Sequence, residues 1–542
     1  MASENYDAII IGGGNKGLAT ALYLAKYGGM SVGIFERLYE TGGGLCTCEF
    51  AGGYSGTPHS AGHFWHTYYD MIHRDFPEMA TELEFCSPKY EGAAILEEDH
   101  SSMVFYPGKD KSAFEKNSDF YSKMPAKDIE AMINFNKIRK NLAPAFHEFV
   151  WNGSTPAGQD DVWEKALKDP ANGFDPQWMT MTVAQFLKSY FEKPELVFNL
   201  LSRSCLSRGI CTDHVGMVPF LFAAWGKYGI PKGGPHAGVH GAVKVLAKYG
   251  AKIWTHHEVD NVIIENGAAK GVRLMDGTEV KANKLVLSTL SPSQLVHQLI
   301  GDDKVNPKIR RKVDALESHR TCIMWYSFAL HEKPEYIAAK NNPDINDSLM
   351  GTLNLGDRDL EREEINESYR DQGKHPPHPY IAVLNYNFDG MHAPDECNGG
   401  GSYILETFDA PASAFSAEHW MQYTKDHARW MIKEWGKFAP NVTWDNVINY
   451  FPTTPYHTSK RGLNFGPNGN HHVIDMPVSQ MGRNRPIPEL AFHRVPEIKN
   501  FYATGTAWGV SQASWSQGYT CYKAIAKDFG LRKPWEEDGR PY

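Results

Sequence analysis

The chain has 542 residues, of which 55 are Lys or Arg and 64 Asp or Glu, giving a formal net charge of -9 with 42% hydrophobic and 12% aromatic residues. Area scaling gives roughly 20,000 Å2 of folded surface against about 88,000 Å2 for the extended chain, so a large core is available and small stapled scaffolds are excluded. The acidic balance lacks the basic footprint of a nucleic-acid binder, and the longest uncharged apolar-rich stretch, Val215 to Gly226, is about twelve residues and contains a proline, short of the ~20 that a spanning helix needs.

Along the chain, Ala8 to Ile11 is a β-branched run suited to a strand buried on both faces, and it runs into a glycine cluster. Residues 17 to 28 carry Leu18, Ala21, Leu22 and Ala25 on one helical face, and Ser31 to Glu36 reads as a second strand, completing a β-α-β unit. From about 76 to 230 the spacing is mainly helical, including Lys127 to Asn141 and Val183 to Cys205, the latter with Thr182 as N-cap. Residues 251 to 290 alternate as short strands around an Asp276-Gly277 turn, and strand-like runs recur at Tyr380 to Tyr386, Tyr403 to Phe408 and Phe501 to Gly505 before a closing helix over Ser514 to Phe529. The eight cysteines are sparse, only Cys46 and Cys48 being neighbours, as Cys-x-Cys, and no basic leader opens the chain. Reduced thiols and a cytoplasmic location are expected.

Gly12-Gly13-Gly14-Asn15-Lys16-Gly17 places Gly-x-Gly-x-x-Gly directly after a strand and at the start of a helix, the context a dinucleotide fingerprint requires. Gly12 allows the tight turn, Gly14 lets the backbone approach a pyrophosphate, Gly17 brings helix and strand together, and the helix N-terminus favours the anion. Glu36 ends the second strand, where a carboxylate accepts the hydroxyl hydrogens of an adenosine ribose. Beyond it, Glu36-Arg37 followed by Gly42-Gly43-Gly44 suits a cofactor that extends past its pyrophosphate.

Glu-Arg-x-x-x-x-Gly-Gly at this location resembles the FAD signature of glutathione-reductase-type flavoproteins, especially the phytoene desaturase and amine oxidase branch. Pro231-Lys232-Gly233-Gly234 with Gly241-Ala242 resembles the segment that introduces the second FAD-contacting portion in phytoene-dehydrogenase-related proteins, and there the valine of the following strand, here Val259, lies by the adenine. Gly351 to Gly356, His378-Pro379-Tyr380, and Asp389 to Pro394 are similar to segments of the pyridine nucleotide-disulfide oxidoreductase domain-containing protein 2 subgroup, and Arg485-Pro486 with Phe501 to Gly505 is similar to its C-terminal flavin segment. The chain departs from that pattern at Ala507-Trp508-Gly509-Val510-Ser511-Gln512, where the family commonly has His-Pro-Gly-Gly-Gly.

The resemblance implies an α/β fold: a Rossmann-type, glutathione-reductase-like FAD domain built from residues 1–75, 230–295 and 490–542, and an α+β substrate-binding domain built from 76–229 and 296–489. It implies FAD held by Gly12, Gly14, Asn15, Gly17, Glu36, Arg37, Gly43, Gly44, Val259, Gly505 and Ser514. The expected activity is FAD-dependent dehydrogenation or desaturation of a mostly apolar organic substrate, isoprenoid-like or other, with hydride passing to flavin N5 and a nearby base taking the proton. His59, His63 and His66 cluster just past the second glycine run and are the candidate bases, with ordinary structural histidines as the alternative; no Cys or carboxylate pattern accompanies them, so no metal is expected. Trp508, Trp515 and Tyr519 are candidates for an aromatic wall on the substrate side, against core packing. Asp213-His214 and His236 to His240 are weighed as cavity-facing against surface loop, and Cys46 as a flavin contact against a buried thiol. Only one fingerprint meets the strand-turn-helix test, so oxygen, a quinone or a separate carrier is expected as electron acceptor. A flavin amine oxidase releasing hydrogen peroxide, a non-redox flavin-dependent isomerase or hydratase, and a flavin-bound scaffold remain open, as do peripheral membrane contact and a homo-oligomer.

Overall fold

A computed structural model describes residues 5–59, 68–81, 83–90, 92–106, 112–198, 209–223, 229–348, 350–354, 359–379, 381–385, 387, 390–394, 400–509, 511, 513–540 and 542. The first strand, β1 (Tyr6–Ile11), leads into helix α1 (Asn15–Lys26) and strand β2 (Val32–Phe35). The turn between β1 and α1 needs Gly12: its φ is +92°, and a Cβ there would stand 2.4 Å from Thr289 Oγ1. Helix α1 has almost no wet face, with Asn15 through Ala25 all buried.

Next come strands β3 (Gly92–Leu96) and β4 (Ser102–Phe105), then helices α2 (Ala126–Asn152), α3 (Val183–Tyr190) and α4 (His236–Lys248). The hairpin β3–β4 interrupts the stretch from 76 to 230 whose spacing suggests mainly helix. Strand β3 reads Gly-Ala-Ala-Ile-Leu and is buried throughout, so it shows no period-2 alternation. Helix α3 begins as expected at Thr182, whose side chain closes a capping box with Gln185, but it breaks at Tyr190; residues 194–198 are helical again, and 199–205 lie outside the described residues. Pro194 follows the break, and the residue before a proline is driven out of the helical region.

Strands β5 (Lys252–Trp254), β6 (Val259–Glu265), β7 (Ala268–Leu274) and β8 (Glu279–Ser288) come next. Strands β9 (Cys322–Leu330), β10 (Met350–Asn354), β11 (Ile381–Asn385) and β12 (Gly401–Asp409) then lead to helix α5 (Ala417–Gly436) and strand β13 (Val447–Thr453). Strand β14 (Phe501–Ala503) and helix α6 (Ser516–Phe529) complete these elements.

Two sheets organise them. The first contains a parallel set in the order β5–β2–β1–β8–β14, the doubly wound arrangement. Strand β8 has two partners in succession, since Glu279 to Lys281 pair antiparallel with β7 while Leu285 to Ser288 pair parallel with β1. The second sheet is mixed, in the order β13–β9–β12–β11–β10–β3–β4. Helices α1, α4 and α6 pack together beside the parallel sheet, and α1 meets α6 so closely that a Cβ on Gly518 would lie 2.4 Å from the Lys16 carbonyl oxygen. One apolar core fills that side and continues among α2 and α3; a second lies across the parallel sheet, and a third lies between the mixed sheet and α5. The accessible surface of 20789 Å2 matches the scaling expected for one compact chain. Among the described residues no helix is long and apolar enough to cross a membrane.

Candidate active site

A cleft opens at the C-terminal ends of β1, β2 and β8, the edge where doubly wound sheets bind ligands. About 1170 Å3 of open space, counted out to its mouth, lies between walls that include Gly12, Gly14, Asn15, Glu36, Arg37, Gly43, Gly44, Val259 and Gly505. These residues come from segments up to about five hundred positions apart, and the sheet order brings them together. Gly17 and Ser514 stand behind the wall. A Cβ on Gly17 would meet the Gly12 carbonyl oxygen at 2.6 Å, so its role is helix–strand approach. Ser514 is buried, and its carbonyl accepts a hydrogen bond from Asn15 Nδ2 at 3.1 Å.

The cleft fits FAD on three observations of its own residues. A Cβ built on Gly14 meets nothing within 4 Å, so the glycine leaves free space at the N-terminus of α1, where amides and helix dipole face an anion. Glu36 uses each carboxylate oxygen once, accepting the Gly13 amide at Oε2 and the Leu38 amide at Oε1, both at 2.8 Å. An ionised carboxylate has about four acceptor positions, so two remain for ribose hydroxyls. Val259 closes the same end, with Gln294 and Gln298 nearby. Gly42 donates its amide to the Gly13 carbonyl at 2.8 Å, tying the second glycine cluster against the first.

At the inner end His59 lies over Gly44 and beside Phe465, the ring centroids of His59 and Phe465 being 5.3 Å apart. His471 is 5.7 Å from His59 and stacks on Trp325 of β9 at 5.7 Å, with His472 next to it in the chain. None of the six ring nitrogens of His59, His471 and His472 has a hydrogen-bond partner among the described residues, although all three side chains are buried. Orphaned buried nitrogens are costly, which marks a place where another polar group belongs. Burial, reinforced by His471 and Arg461, holds His59 well below the usual histidine range; burial pulls His471 and His472 down to about 3. All three are neutral imidazoles near pH 7. Lys16 is also buried on the cleft wall, and desolvation lowers its ammonium to about 7.

Other sequence candidates are placed elsewhere. His63 and His66 lie outside the described residues. Trp508 donates its indole N–H to the Leu490 carbonyl at 2.8 Å and packs in the core across the parallel sheet. Tyr519 is fully buried among Tyr23, Trp151 and Trp535, and Trp515 is buried near Tyr69. The residues that bring rings to the inner end are Phe465 and Trp325 instead. Cys46 is buried two residues past Gly44, and burial pushes its thiol up to about 12, so it stays protonated. His236 lies beside Gly42, while Asp213 is paired with Arg320 at 2.8 Å and His214 Nδ1 accepts the Cys211 amide at 3.2 Å. Sequence reasoning missed Thr289, Arg461 to Phe465 and the His471-His472 pair. The doublet of histidines was their one visible signal.

No family model matches the chain. It is 22% identical over 553 residues to a subunit of the limonene dehydrogenase of Castellaniella defragrans, a match covering 98% of this chain and 96% of that protein. It is 24% identical over 552 residues, 92% of this chain and 90% of the relative, to pyridine nucleotide-disulfide oxidoreductase domain-containing protein 2 of Mus musculus. A shorter match, 31% identical over 125 residues, covers 22% of this chain and 24% of a 4,4'-diapophytoene desaturase (4,4'-diapolycopene-forming) of Methylomonas sp. Among solved structures, putrescine oxidase bound to putrescine superposes with a TM-score of 0.61 at 11% identity, covering 97% of this chain and 99% of that one. The fold is therefore that of the FAD-dependent oxidoreductases, and the resemblance read from the glycine and Glu-Arg motifs stands.

Proposed function

We propose that the protein, an FAD-dependent oxidoreductase by fold and by sequence kinship, dehydrogenates an apolar organic molecule at an activated C–H bond. The observation that carries this reading is His59, a buried, neutral histidine with no partner among the described residues, on the wall of the cofactor cleft beside Phe465, with the equally unpartnered His471 and then Trp325 packed behind it. Bound FAD would supply the two-electron redox chemistry. The chain's residues do the rest. Gly12, Gly14 and the α1 N-terminus would hold the pyrophosphate, and Glu36 would hold the ribose. Phe465, Trp325 and the neighbouring core exclude water, which favours an apolar substrate and leaves an ionic one poorly solvated.

His59 is the candidate base, accepting the proton at Nδ1 or Nε2, neither of which is committed to a protein partner among the described residues. Its weak basicity is no obstacle. As hydride leaves a carbon, positive charge builds there and makes the adjacent C–H strongly acidic, so a poorly basic imidazole completes the new double bond. Limonene dehydrogenase and the desaturase among the relatives carry names for chemistry of this kind. The amine oxidase alternative calls for a cage from Trp508, Trp515 or Tyr519, and those rings pack in the cores. The electron acceptor would be oxygen, a quinone or a separate carrier, and the location we propose is the cytoplasm.

The test begins with the visible spectrum of the purified protein and identification of the chromophore released on denaturation, where FAD is expected. Anaerobic addition of a monoterpene or other allylic hydrocarbon should then bleach the flavin band. A colourless protein that FAD cannot reconstitute overturns the oxidoreductase reading. Bleaching by primary amines, with hydrogen peroxide formed in air and no response to hydrocarbons, replaces the dehydrogenase with an amine oxidase.

A further inference from the structure

Behind the C-terminal cofactor segment lies a second cavity, with about 1640 Å3 of open space counted likewise to its mouth. Trp508 and Gly509 form part of its wall, while Gly505 and Thr506, just before them, line the cofactor cleft. The Trp508 ring lies 3.6 Å from where a Cβ on Gly505 would stand, so one short segment separates the two spaces. The proposed reaction does not use this cavity.

Its lining carries more cations than carboxylates, Glu536 being the one acidic residue on the wall, with Glu148 and Asp475 near enough to act on Lys523 and Arg485. Arg485 is buried and donates to the backbone carbonyls of Gly509, Asp475, Gln480, His472 and Ile474, with no carboxylate accepting from it among the described residues. Lys523, on α6, gives its ammonium to the neutral Asn152 Oδ1 at 2.5 Å and lies over the Tyr519 and Trp535 rings. Lys527 stands exposed one turn further along α6 at the rim. The remaining ions cancel in pairs, Arg494 with Asp528 at 2.7 Å and Lys533 with Glu536 at 2.9 Å. A buried polar group also waits on the wall: Gln517, only 5% exposed, uses its Nε2 on Ser516 but leaves Oε1 without a partner among the described residues. Apolar surface from Phe149, Phe492, Trp508 and Trp535 lines the rest.

We propose that this cavity binds an organic anion with an apolar body, its carboxylate, sulfonate or phosphate set between Lys523 and Lys527 and its body against the aromatic wall. A cavity carrying two lysine charges beside a buried guanidinium attracts an anion, and the partly dry wall strengthens that attraction over what surface lysines provide. Burial already lowers Lys523 to about 8, a cost that an anionic partner offsets. Gln517 Oε1 would accept a hydroxyl or amide hydrogen of the same ligand.

The test uses the FAD-loaded protein and two fluorescent probes of the same shape, 8-anilinonaphthalene-1-sulfonate and its uncharged relative N-phenyl-1-naphthylamine. The sulfonate should bind once per chain and about tenfold more tightly than the neutral amine. Lys523→Gln with Lys527→Gln should weaken the sulfonate about tenfold and leave the amine unchanged. Ala524→Trp, which adds an indole on the cavity wall, should remove both. Lys527→Gln alone alters an exposed side chain, so it supplies a folded variant whatever the others do. Equal affinity of the two probes, or sulfonate binding that survives Ala524→Trp in folded protein, overturns the proposal. Flavin content, read from the visible band of the same samples, is independent of these outcomes; its absence would sink the proposed function without touching this result.

Discussion

His59 meets three demands at once: it is buried, it is neutral near pH 7, and both ring nitrogens lack a partner among the described residues. His59→Gln keeps a polar side chain of similar size but cannot take the proton, so anaerobic bleaching should slow by about 10²- to 10⁴-fold while FAD is retained. His471→Gln tests the neighbour separately, and unchanged rates in both variants would remove the histidines from the chemistry. Gly14 gives the complementary test of cofactor binding. A Cβ there meets no protein atom within 4 Å, so Gly14→Ala should fold normally and lose FAD affinity by about tenfold, measured by reconstitution of the apoprotein. Full flavin content in that variant would contradict the placement of the pyrophosphate. His59 was legible because it follows the glycine clusters in sequence. His471 and His472 were not, since they reach the site from about four hundred residues away through the fold of the 454–486 segment.

Element contacts decide how firmly the cleft is held. Helices α1 and α6 cross at Gly518, where a methyl would lie 2.5 Å from Ala19 Cβ and closer still to the Lys16 carbonyl. Gly518→Ala therefore overpacks the crossing and should cost about 1–3 kcal/mol of stability. Because α1 also presents its N-terminus to the cleft, FAD should be released at lower denaturant concentration in this variant; unaltered unfolding and FAD retention would show that the crossing yields freely. The β-α-β unit was legible because its residues are local and strongly patterned, from the β-branched run of β1 to the apolar stripe of α1. Strand β9, Cys322–Leu330, is hidden in the sequence for the opposite reason: all nine residues are buried, so hydrophobic alternation is absent. Strand β8 is one continuous strand whose halves change partner, and with it burial pattern, without a break.

At the scale of the molecule, several histidines buried without charge make stability depend on pH. His427, on α5 where it packs against the mixed sheet and remote in sequence from the cofactor motifs, is lowered to about 4, mainly by burial, and His471 to about 3. Between those values and the ordinary 6.5 the unfolded chain binds more protons than the folded one, so stability falls as pH drops through 6.5 toward 4. Each such group contributes on the order of 2 kcal/mol of this loss by pH 5. Urea unfolding midpoints should accordingly be lower at pH 5 than at pH 7, and His427→Gln should flatten the slope without affecting flavin content. A midpoint that stays level across this range would mean that these imidazoles are wetter than the packing indicates.

Local chemistry in the sequence determined the nucleotide half of the protein: a fingerprint between a buried strand and a helix, a carboxylate at the end of the second strand, and a further glycine run. These work through backbone geometry and short-range spacing, which a linear chain displays. The tertiary structure alone decided that Trp508 and Tyr519 belong to the cores, that Phe465, Trp325 and His471 join His59, and that Arg485 and Lys523 share one cavity wall. Those outcomes depend on which faces of distant elements are buried against one another, and burial is a property of the packed molecule that residue order does not display.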